Sequence, residues 1–432
     1  MNKNTFVVGF MLFAIFFGAG NLIFPPKLGA DSGVDFWPSI LGFVVTGVGL
    51  PLLGIAVGSF YKGGYKEILK RIHPAFALCL LLAIFLALGP FFGGPRTAAT
   101  AYSIAMVPFL DHPNATAQFI FCLIYFLISL WLSLNPAQMV DRVGEILTPA
   151  LLIGLIALIV KSYFLFNAYP AIPVEHPIPA PFVNGMVEGY STLDALASVV
   201  FAVVVLTAIK EKSPKGTSIS KQTVYAGIIA SVFLTIIYIA LGWLGNRLPV
   251  EINEHQSIGP QILNTAAVLA YGEFGRVLLG IIVTLACLTT TIGIGTASSE
   301  YFHEIFPRIS YKTYVVLFTI VSFIIANIGL KAVIDKSLPV LLILYPITMT
   351  VIVLLLINLF VKLPLASHRF AAGLVTIESF CVVLGKSHLT WLSSLPIRED
   401  MVWIFFAFAG VILGYIWQAF SKKKEVLVGV PD

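Results

Sequence analysis

The chain has 432 residues, of which 58% are hydrophobic and only 11% are charged, and its mean hydropathy is +0.96. Soluble domains usually carry about 25% charged residues, so the composition excludes a soluble globular body. The net charge of +5 does not indicate binding to nucleic acid, because the basic residues lie in short segments between apolar runs. The composition predicts an all-α integral membrane protein embedded in a lipid bilayer.

Hydropathy marks about twelve apolar segments long enough to cross about 30 Å of hydrocarbon. The first is interpreted as a retained helix, since no small-residue cleavage site follows it. The third is long enough for a strongly tilted helix or one with an irregular end. We predict that residues 247–274 form a short helix on the membrane surface or over a cavity mouth. The approximate bounds of the segments are 5–28, 36–60, 75–109, 117–135, 144–168, 189–209, 220–245, 275–299, 313–330, 337–361, 367–386 and 400–420.

The loops between the segments differ in charge. With the N-terminus inside, the inner segments carry far more Lys and Arg than the outer ones, including Lys62, Lys66, Lys70 and Arg71 in a single loop. This bias predicts that both termini are cytoplasmic and that the number of spans is even. The loops are too short to fold as separate domains, which argues against a receptor ectodomain or a cytoplasmic catalytic head.

The first span is interrupted by Gly18, Gly20 and Asn21 at bilayer depth, followed by Pro25 and Pro26. Non-helical backbone survives in a membrane only where it is buried in protein or lines a watered cavity. One interpretation is an unwound ion and substrate site. The other is close helix packing by small residues.

The sixth span contains Asp194 just after Tyr190, Ser191 and Thr192. A carboxylate within a span is costly and usually functional, but this one could instead cap a helix at the membrane surface. The two interpretations overlap, since a half-helix that begins in mid-membrane needs a cap. Interrupted segments at corresponding positions of two halves indicate an inverted-repeat transporter with its site at the midplane.

Two further features lie inside apolar segments. Thr289, Thr290 and Thr291 are consecutive in the eighth span, where their hydroxyls either bond to carbonyls one turn earlier or coordinate sodium. In the third span, Pro90 and Pro95 flank a glycine pair before Arg96. Arg96 requires a partner or water, and Asp194 is one candidate.

The sequence also has two isolated charged residues within its spans and lacks catalytic motifs. Lys161 is expected to snorkel at the outer end of the fifth span, with proton transfer as its rival role. Glu378 either pairs or lies at a helix contact. Cys79, Cys122 and Cys287, like Cys381, lie in apolar runs without metal-ligand or disulfide spacing. No nucleotide-binding loop or catalytic dyad is present, so an enzyme is not expected and no cofactor is expected beyond a coupling ion.

The three motifs Phe17–Pro26, Gly89–Ala98 and Gly189–Ala197 resemble the signatures of the bacterial branched-chain amino acid:cation symporters, the BrnQ type. The resemblance covers essentially the whole chain. One departure is Ala101–Ile104, where the family commonly carries an acidic residue and this chain has none. The resemblance implies sodium-coupled import of leucine, isoleucine and valine across the bacterial cytoplasmic membrane.

The resemblance also implies the leucine-transporter-like fold, a 5+5 inverted repeat with discontinuous helices 1 and 6. Its first repeat would be residues 1–170, its second residues 171–362, and helices 11 and 12 with the tail would be residues 363–432. Pro90, Pro95 and Arg96 are structural or gating candidates. The implied sodium ligands are the carbonyls of Ala14, Phe17 and Ala286 and the hydroxyls of Thr289 and Thr290. The implied substrate site comprises Gly18, Ala19, Gly20, Asn21, Tyr190, Ser191, Thr192 and Asp194.

Two rival functions remain at this point. One is a related secondary transporter for another small solute, or one coupled to protons. The other is a channel or a membrane enzyme, although the sequence has neither rings of charge along a span nor clustered catalytic residues. The oligomeric state does not follow from the sequence.

Overall fold

The computed structural model describes residues 3–61, 63–134, 140–173, 179–212, 218–250, 253, 256–385 and 401–421. These residues are overwhelmingly helical, and no β-strand occurs among them. Backbone hydrogen bonds within a helix leave no peptide group exposed to lipid, which explains this architecture for so apolar a chain. The expected all-helical membrane protein is confirmed.

Seventeen α-helices follow one another along the described part of the chain. They are α1 (Lys3–Phe16), α2 (Ala19–Ser32), α3 (Phe36–Val44), α4 (Leu50–Phe60), α5 (Gly64–Ile72), α6 (Pro74–Leu86), α7 (Gly93–Ala105), α8 (Ala115–Ser133), α9 (Val140–Phe166), α10 (Pro181–Tyr190), α11 (Asp194–Lys212), α12 (Ile219–Arg247), α13 (Ile258–Ile305), α14 (Tyr311–Ala326), α15 (Leu330–Phe360), α16 (Leu365–Val383) and α17 (Trp403–Phe420).

By length and composition, seven helical stretches of the described part could cross a bilayer, and Leu151–Phe166 and Tyr311–Ala326 are shorter apolar helices. The third span is irregular in its middle, where a π-helical turn at Ala87–Phe91 separates α6 from α7, whereas the sequence predicted a tilted helix or one with an irregular end. Helix α13 bends at Gly272, whose φ of 63° is left-handed. The bend sets residues 258–271 apart as the expected short helix before the eighth span.

The sixth span begins earlier than the sequence predicted. Helix α10 starts at Pro181, whereas the apolar segment was placed at residues 189–209. The first half-helix was missed because it is short and carries Asn184, Glu188 and glycines, which lower its hydropathy. Only the second half-helix, α11, has the long apolar run that hydropathy detects.

One group of helices is held together by backbone contacts at glycines and comprises α2, α3 with α4, α10 with α11, and α12. A Cβ on Gly185 of α10 would lie 1.8 Å from the Ser39 carbonyl oxygen. A Cβ on Gly29 of α2 would lie 1.8 Å from the Gly242 carbonyl oxygen. Helices approach this closely in membranes where small residues remove the side chains between them. We call this group the bundle.

A second group comprises α6 with α7, α8, α13 and α14, and we call it the scaffold. Gly89 and Gly94 of the third span lie against Ser298 and Ser322 of α13 and α14. The hydroxyl of Ser322 donates to the Pro90 carbonyl at 3.3 Å, which places Pro90 at a contact between scaffold helices. The N-termini of the half-helices α2 and α11 belong to the bundle, and the candidate site lies where they meet the scaffold.

The outer surface of α8 shows how the fold meets lipid. Exposed apolar residues recur along this helix at helical spacing, among them Ile120, Leu127 and Trp131. An apolar face of this extent on a soluble protein would be an aggregation hazard. In a bilayer it is the surface in contact with acyl chains.

Candidate functional site

The first span is broken where the sequence indicated. Helix α1 ends at Phe16 and α2 begins at Ala19, with Gly18 in an extended conformation between them (φ −120°, ψ −160°). The Gly18 N–H donates to the Asn21 Oδ1 at 2.9 Å. Asn21 therefore caps the N-terminus of α2 from within the helix and satisfies a peptide group that has no intrahelical partner.

The sixth span is broken as well. Helix α10 ends at Tyr190 and α11 begins at Asp194, and Leu193 between them has φ +71°. A left-handed φ is strained for a residue that carries a Cβ and marks a point where surrounding structure fixes the backbone. The Asp194 N–H donates to the Thr192 hydroxyl at 3.3 Å. Both breaks are buried, which favours the interpretation as unwound sites over an unbroken pair of packed helices.

A side-chain bridge connects the two breaks. The Asn21 Nδ2 donates to Asp194 Oδ2 at 2.7 Å, and the Tyr238 hydroxyl of α12 donates to the same oxygen at 3.0 Å. The Asn21 amide also contacts the Tyr238 hydroxyl. Asn21 and Asp194 are 1% and 4% exposed. The carboxylate is therefore held by side-chain donors from two other spans, which a cap at the membrane surface does not require.

Arg96 crosses from the scaffold to the second break. Its guanidinium donates from Nη1 to the Ser191 carbonyl at 2.5 Å and from Nη2 to the Thr192 carbonyl at 3.0 Å. It also lies over the Phe24 ring, 5.4 Å from the centroid. The sequence left open whether its partner is Asp194. The structure instead gives Arg96 a pair of carbonyls that α10 leaves free at its C-terminal end, where the helix dipole favours a cation.

The threonine run faces two directions. Thr289 and Thr290 donate to the Ala286 carbonyl at 2.8 and 3.1 Å, which is the back-bonding that the sequence offered as the alternative to a cation site. Thr290 also lies against the first break, since a Cβ on Gly18 would be 3.2 Å from its hydroxyl oxygen. Thr291 points into the scaffold, within hydrogen-bond distance of Thr97 (2.5 Å) and Tyr125 (2.7 Å).

The breaks set the electrostatics of the site. Two half-helices, α2 and α11, begin there and present partial positive charge, while α1 and α10 end there and present carbonyl groups. Gly20 of α2 lies close to Thr192, since its Cβ would be 3.1 Å from the Thr192 carbonyl oxygen. The arrangement thus places helix N-termini, carbonyls and one carboxylate within a single buried region. It suits a ligand that carries both charges.

Most predicted residues meet in this region, and a few lie elsewhere. Gly18, Ala19, Gly20 and Asn21 meet Ser191, Thr192 and Asp194 at the paired breaks, and Thr290 lies beside them. The Tyr190 hydroxyl donates to the Met401 sulfur at 3.2 Å. Pro95 is buried in the first turn of α7. Glu378 is buried in α16, and Lys161 is exposed near the end of α9.

Sequence reasoning missed three aromatic residues of the site. Tyr238 donates to Asp194, Phe43 packs edge-on against Tyr238 at 5.4 Å, and Tyr345 stacks on Tyr190 at 4.7 Å. Within apolar spans these residues look like ordinary core. The one available signal was the phenolic oxygen of Tyr238, since a buried tyrosine hydroxyl needs a partner.

Comparison with known proteins shows to which family this chain is related. A family described as "Branched-chain amino acid transport protein" matches residues 1–421. A protein of Staphylococcus aureus strain MRSA252, named as a branched-chain amino acid carrier protein, is 45% identical over 442 aligned positions that cover 99% of each chain. A protein of the same description from Staphylococcus saprophyticus is also 45% identical, with 99% of each chain covered.

Solved structures show the same fold at low sequence identity. The inward-facing form of Mhp1 aligns with TM-score 0.63 and 14% identity over 97% of this chain and 93% of that chain. The closed form of Mhp1, a nucleobase-cation-symport-1 family transporter, gives TM-score 0.59 at 14% identity, covering 97% of this chain and 94% of the other. A Na⁺-coupled sialic acid symporter gives TM-score 0.62 at 15% identity, covering 97% and 91%. These neighbours have the leucine-transporter-like fold, and the chain belongs to the branched-chain amino acid transport protein family, whose members are multi-pass membrane transporters and not enzymes.

Proposed function

We propose that this protein is a sodium-coupled symporter that imports leucine, isoleucine and valine across the bacterial cytoplasmic membrane by alternating access. Family membership and the names of its relatives support the substrate class. The fold neighbours, one of which is a Na⁺-coupled symporter, support coupling to a cation. The excess of basic residues in the inner loops supports cytoplasmic N- and C-termini.

The observation that carries the proposal is the direct bridge between the two broken spans, from Asn21 to Asp194. It brings two helix N-termini and a carboxylate together at a buried point. The substrate carboxylate would accept from the N–H groups of Ala19 and Gly20, since the first residues of a helix have no intrahelical acceptor. The Gly18 N–H, also a candidate, already donates to Asn21 and would have to be shared.

The substrate ammonium would lie at the second break. Asp194 supplies a negative charge there, and the end of α10 from Tyr190 supplies carbonyls. Two of those carbonyls, at Ser191 and Thr192, hold the Arg96 guanidinium. The ammonium would therefore share this end of α10 with a permanent cation, and the Asp194 charge offsets the repulsion.

Sodium, as a transported coupling ion, would bind beside the substrate. It prefers oxygen ligands, as hard cations do. The carbonyls of Ala14, Phe17 and Ala286 with the hydroxyls of Thr289 and Thr290 form such a set. The donor chemistry fits, because both hydroxyls converge on the Ala286 carbonyl and each keeps lone pairs for a cation. Binding at a shared boundary couples the two ligands reciprocally.

Alternating access would consist of movement between the bundle and the scaffold. We call the side of the molecule where α2 ends the outer side. There Ile23 of α2, Ala99 of α7 and Leu330 of α15 form a small buried apolar cluster. This cluster, which we call the outer plug, joins both helix groups above the breaks. Its separation would open the site outward.

The decisive experiment is leucine uptake by purified protein in proteoliposomes under an imposed gradient. We expect leucine to accumulate when sodium is higher outside, and unlabelled isoleucine and valine to compete. Each branched side chain adds only about 0.8 kcal/mol per buried methylene, so discrimination among them is expected to be weak. Uptake driven by a proton gradient in the absence of sodium would reject the sodium assignment, and downhill flux without accumulation would reject symport.

A further inference from the structure

A cavity of about 520 Å³ lies between the α7–α8 connection and the first part of α13, up to Arg276. Its volume falls within the range of small-molecule sites, about 300–1,000 Å³. It contains none of the residues assigned to the central site. The proposed function leaves it without a role.

The cavity lies directly outside the outer plug. Ser103 lines it and is one helical turn beyond Ala99, a member of the plug. Pro260 also lines it and follows Gly259, whose Cβ would be 2.2 Å from the Ile23 carbonyl oxygen. The cavity therefore borders the outer plug and the helix of residues 258–271.

Polar groups of both charges line the cavity. Asn264 is 8% exposed, and its buried Oδ1 has no hydrogen-bond partner in the described residues. A buried polar atom left unpaired costs about 1–3 kcal/mol, so a ligand or water is expected to satisfy it. Asp111 supplies a carboxylate on the α7–α8 connection, and Arg276 supplies a guanidinium at the start of the eighth span.

Three contacts fix the position of the Arg276 guanidinium, which lines the cavity. It donates to Glu273 at 2.9 Å and to the Pro108 carbonyl at 3.4 Å, and it lies over the Phe109 ring at 5.6 Å from the centroid. Glu273 is 67% exposed at its side chain, so water screens the ion pair. The guanidinium Nε has no partner in the described residues and remains a donor.

Apolar residues line the rest of the cavity. Aliphatic surface comes from Val107, Leu110, Val268 and Leu269. A cation, an anion and an aliphatic surface together match the two ends and the side chain of a zwitterionic aliphatic amino acid. A purely ionic or purely apolar ligand would leave one part of this lining unmatched.

We propose that this cavity is an outer subsite that binds a free aliphatic α-amino acid before the plug opens. The carboxylate lies at Arg276, and the ammonium lies between Asp111 and the Asn264 Oδ1. The assignment rests on the proposed function for its substrate class. It extends that function by adding a second binding site in series with the central one.

The test measures protection of a cysteine in the cavity. Thr265→Cys, which lines the cavity, is placed in a chain whose four native cysteines are replaced by serine. Leucine binding at the central site is weakened by Asp194→Asn, or by Asn21→Leu if the first variant does not fold. A membrane-impermeant thiol reagent is applied from outside. We expect leucine at about twice its dissociation constant to slow labelling about threefold.

Matched probes and variants identify what protects the cysteine. Leucinol lacks the carboxylate and 4-methylpentanoate lacks the ammonium, so neither should protect at the leucine concentration used. Asp111→Asn should remove protection by leucine. Val34→Cys, which is 83% exposed beyond α2 and outside the cavity, should be labelled at the same rate with and without leucine.

Two outcomes separate this proposal from the proposed function. If the unmodified transporter accumulates leucine but leucine fails to protect Thr265→Cys at about 50 mM, far above a millimolar dissociation constant, the outer subsite is overturned. If protection occurs, requires both charged ends and depends on Asp111, the subsite stands. It then stands even if the transporter fails to accumulate leucine, a result that counts against the proposed function alone.

Discussion

Asn21 and Asp194 are 173 residues apart in the sequence, yet their side chains are joined by a hydrogen bond of 2.7 Å. Each residue stands near the beginning of a half-helix, so the bond ties the N-termini of α2 and α11 together. A ligand bound between these ends would contact both broken spans at once. Four predictions follow from this and neighbouring contacts.

The first prediction concerns the bridge itself. Asp194→Asn keeps the shape of the side chain but removes its charge and makes one amide face another. Hydrogen bonds to charged groups contribute about 1.5–3 kcal/mol, so we expect the apparent affinity for leucine to fall about 10- to 100-fold. Tyr238→Phe leaves the Asn21 bond in place and should cost less. Initial uptake rates over a leucine series measure both.

The control for this prediction is Tyr163→Phe, since Tyr163 is 53% exposed on α9 and is not part of the bridge. It should transport normally. Equal uptake by Asp194→Asn and the unmodified protein would show that the carboxylate does not take part in substrate binding.

The second prediction concerns the coupling ion. Thr289→Ala and Thr290→Ala each remove one of the proposed sodium ligands, so the sodium concentration for half-maximal uptake should rise about tenfold, the equivalent of about 1.4 kcal/mol. Thr290→Ser restores the hydroxyl and should restore most of the sodium affinity. Uptake measured across a sodium series gives the result.

Thr291→Ala is the matched control within the same run. Its hydroxyl bonds with Thr97 and Tyr125 inside the scaffold and does not face the first break. This variant should lose some stability without a change in sodium dependence. Sodium dependence that is unchanged in both Thr289→Ala and Thr290→Ala would eliminate the proposed sodium site.

The third prediction concerns Arg96. Its two nitrogens bind two different carbonyls, at Ser191 and Thr192, and a lysine ammonium cannot reproduce this fork. Arg96→Lys should therefore reduce uptake about 10- to 100-fold although the charge is retained, as expected when a buried charged contact of about 2–3 kcal/mol is lost.

A second arginine provides the comparison. Arg369→Lys alters an arginine whose Nε donates to the Ile72 carbonyl at 2.7 Å, away from the breaks. Its uptake should stay within about twofold of the unmodified protein, as for surface changes of less than 0.5 kcal/mol. Full activity of Arg96→Lys would mean that charge alone matters at the second break.

The fourth prediction concerns stability. Gly185→Ala would place a Cβ 1.8 Å from the Ser39 carbonyl oxygen, which forces α10 away from α3. Overpacking of this kind costs about 1–3 kcal/mol, so the unfolding temperature in detergent should fall. Gly373→Ala adds a Cβ with nothing within 4 Å and should be neutral or stabilising, because alanine is favoured in helices. If the unfolding temperature fell equally in both variants, this would contradict the close contact between Gly185 and Ser39.

The resemblance and the interrupted segments led to several correct predictions. The break at Gly18 and the half-helix that begins at Asp194 were both expected from residues that cannot continue a helix cheaply in lipid. The sequence did not predict the kink at Gly272. It predicted only that a surface segment is followed by a span in this region. By contrast, α10 was missed because its polar residues conceal a half-helix buried among other helices.

The apolar composition already determined that this chain enters the bilayer, and Gly18, Asn21 and Asp194 marked two candidate breaks in its spans. Both conclusions depend on local free-energy costs, since hydrocarbon penalises every exposed peptide group or charge wherever it occurs in the sequence. Only the tertiary structure decided that Arg96 holds the carbonyls of Ser191 and Thr192 and that Tyr238 completes the bridge. These partners are 44 to 96 residues apart in the sequence. They are chosen by how the helices pack together, and no local pattern records that choice.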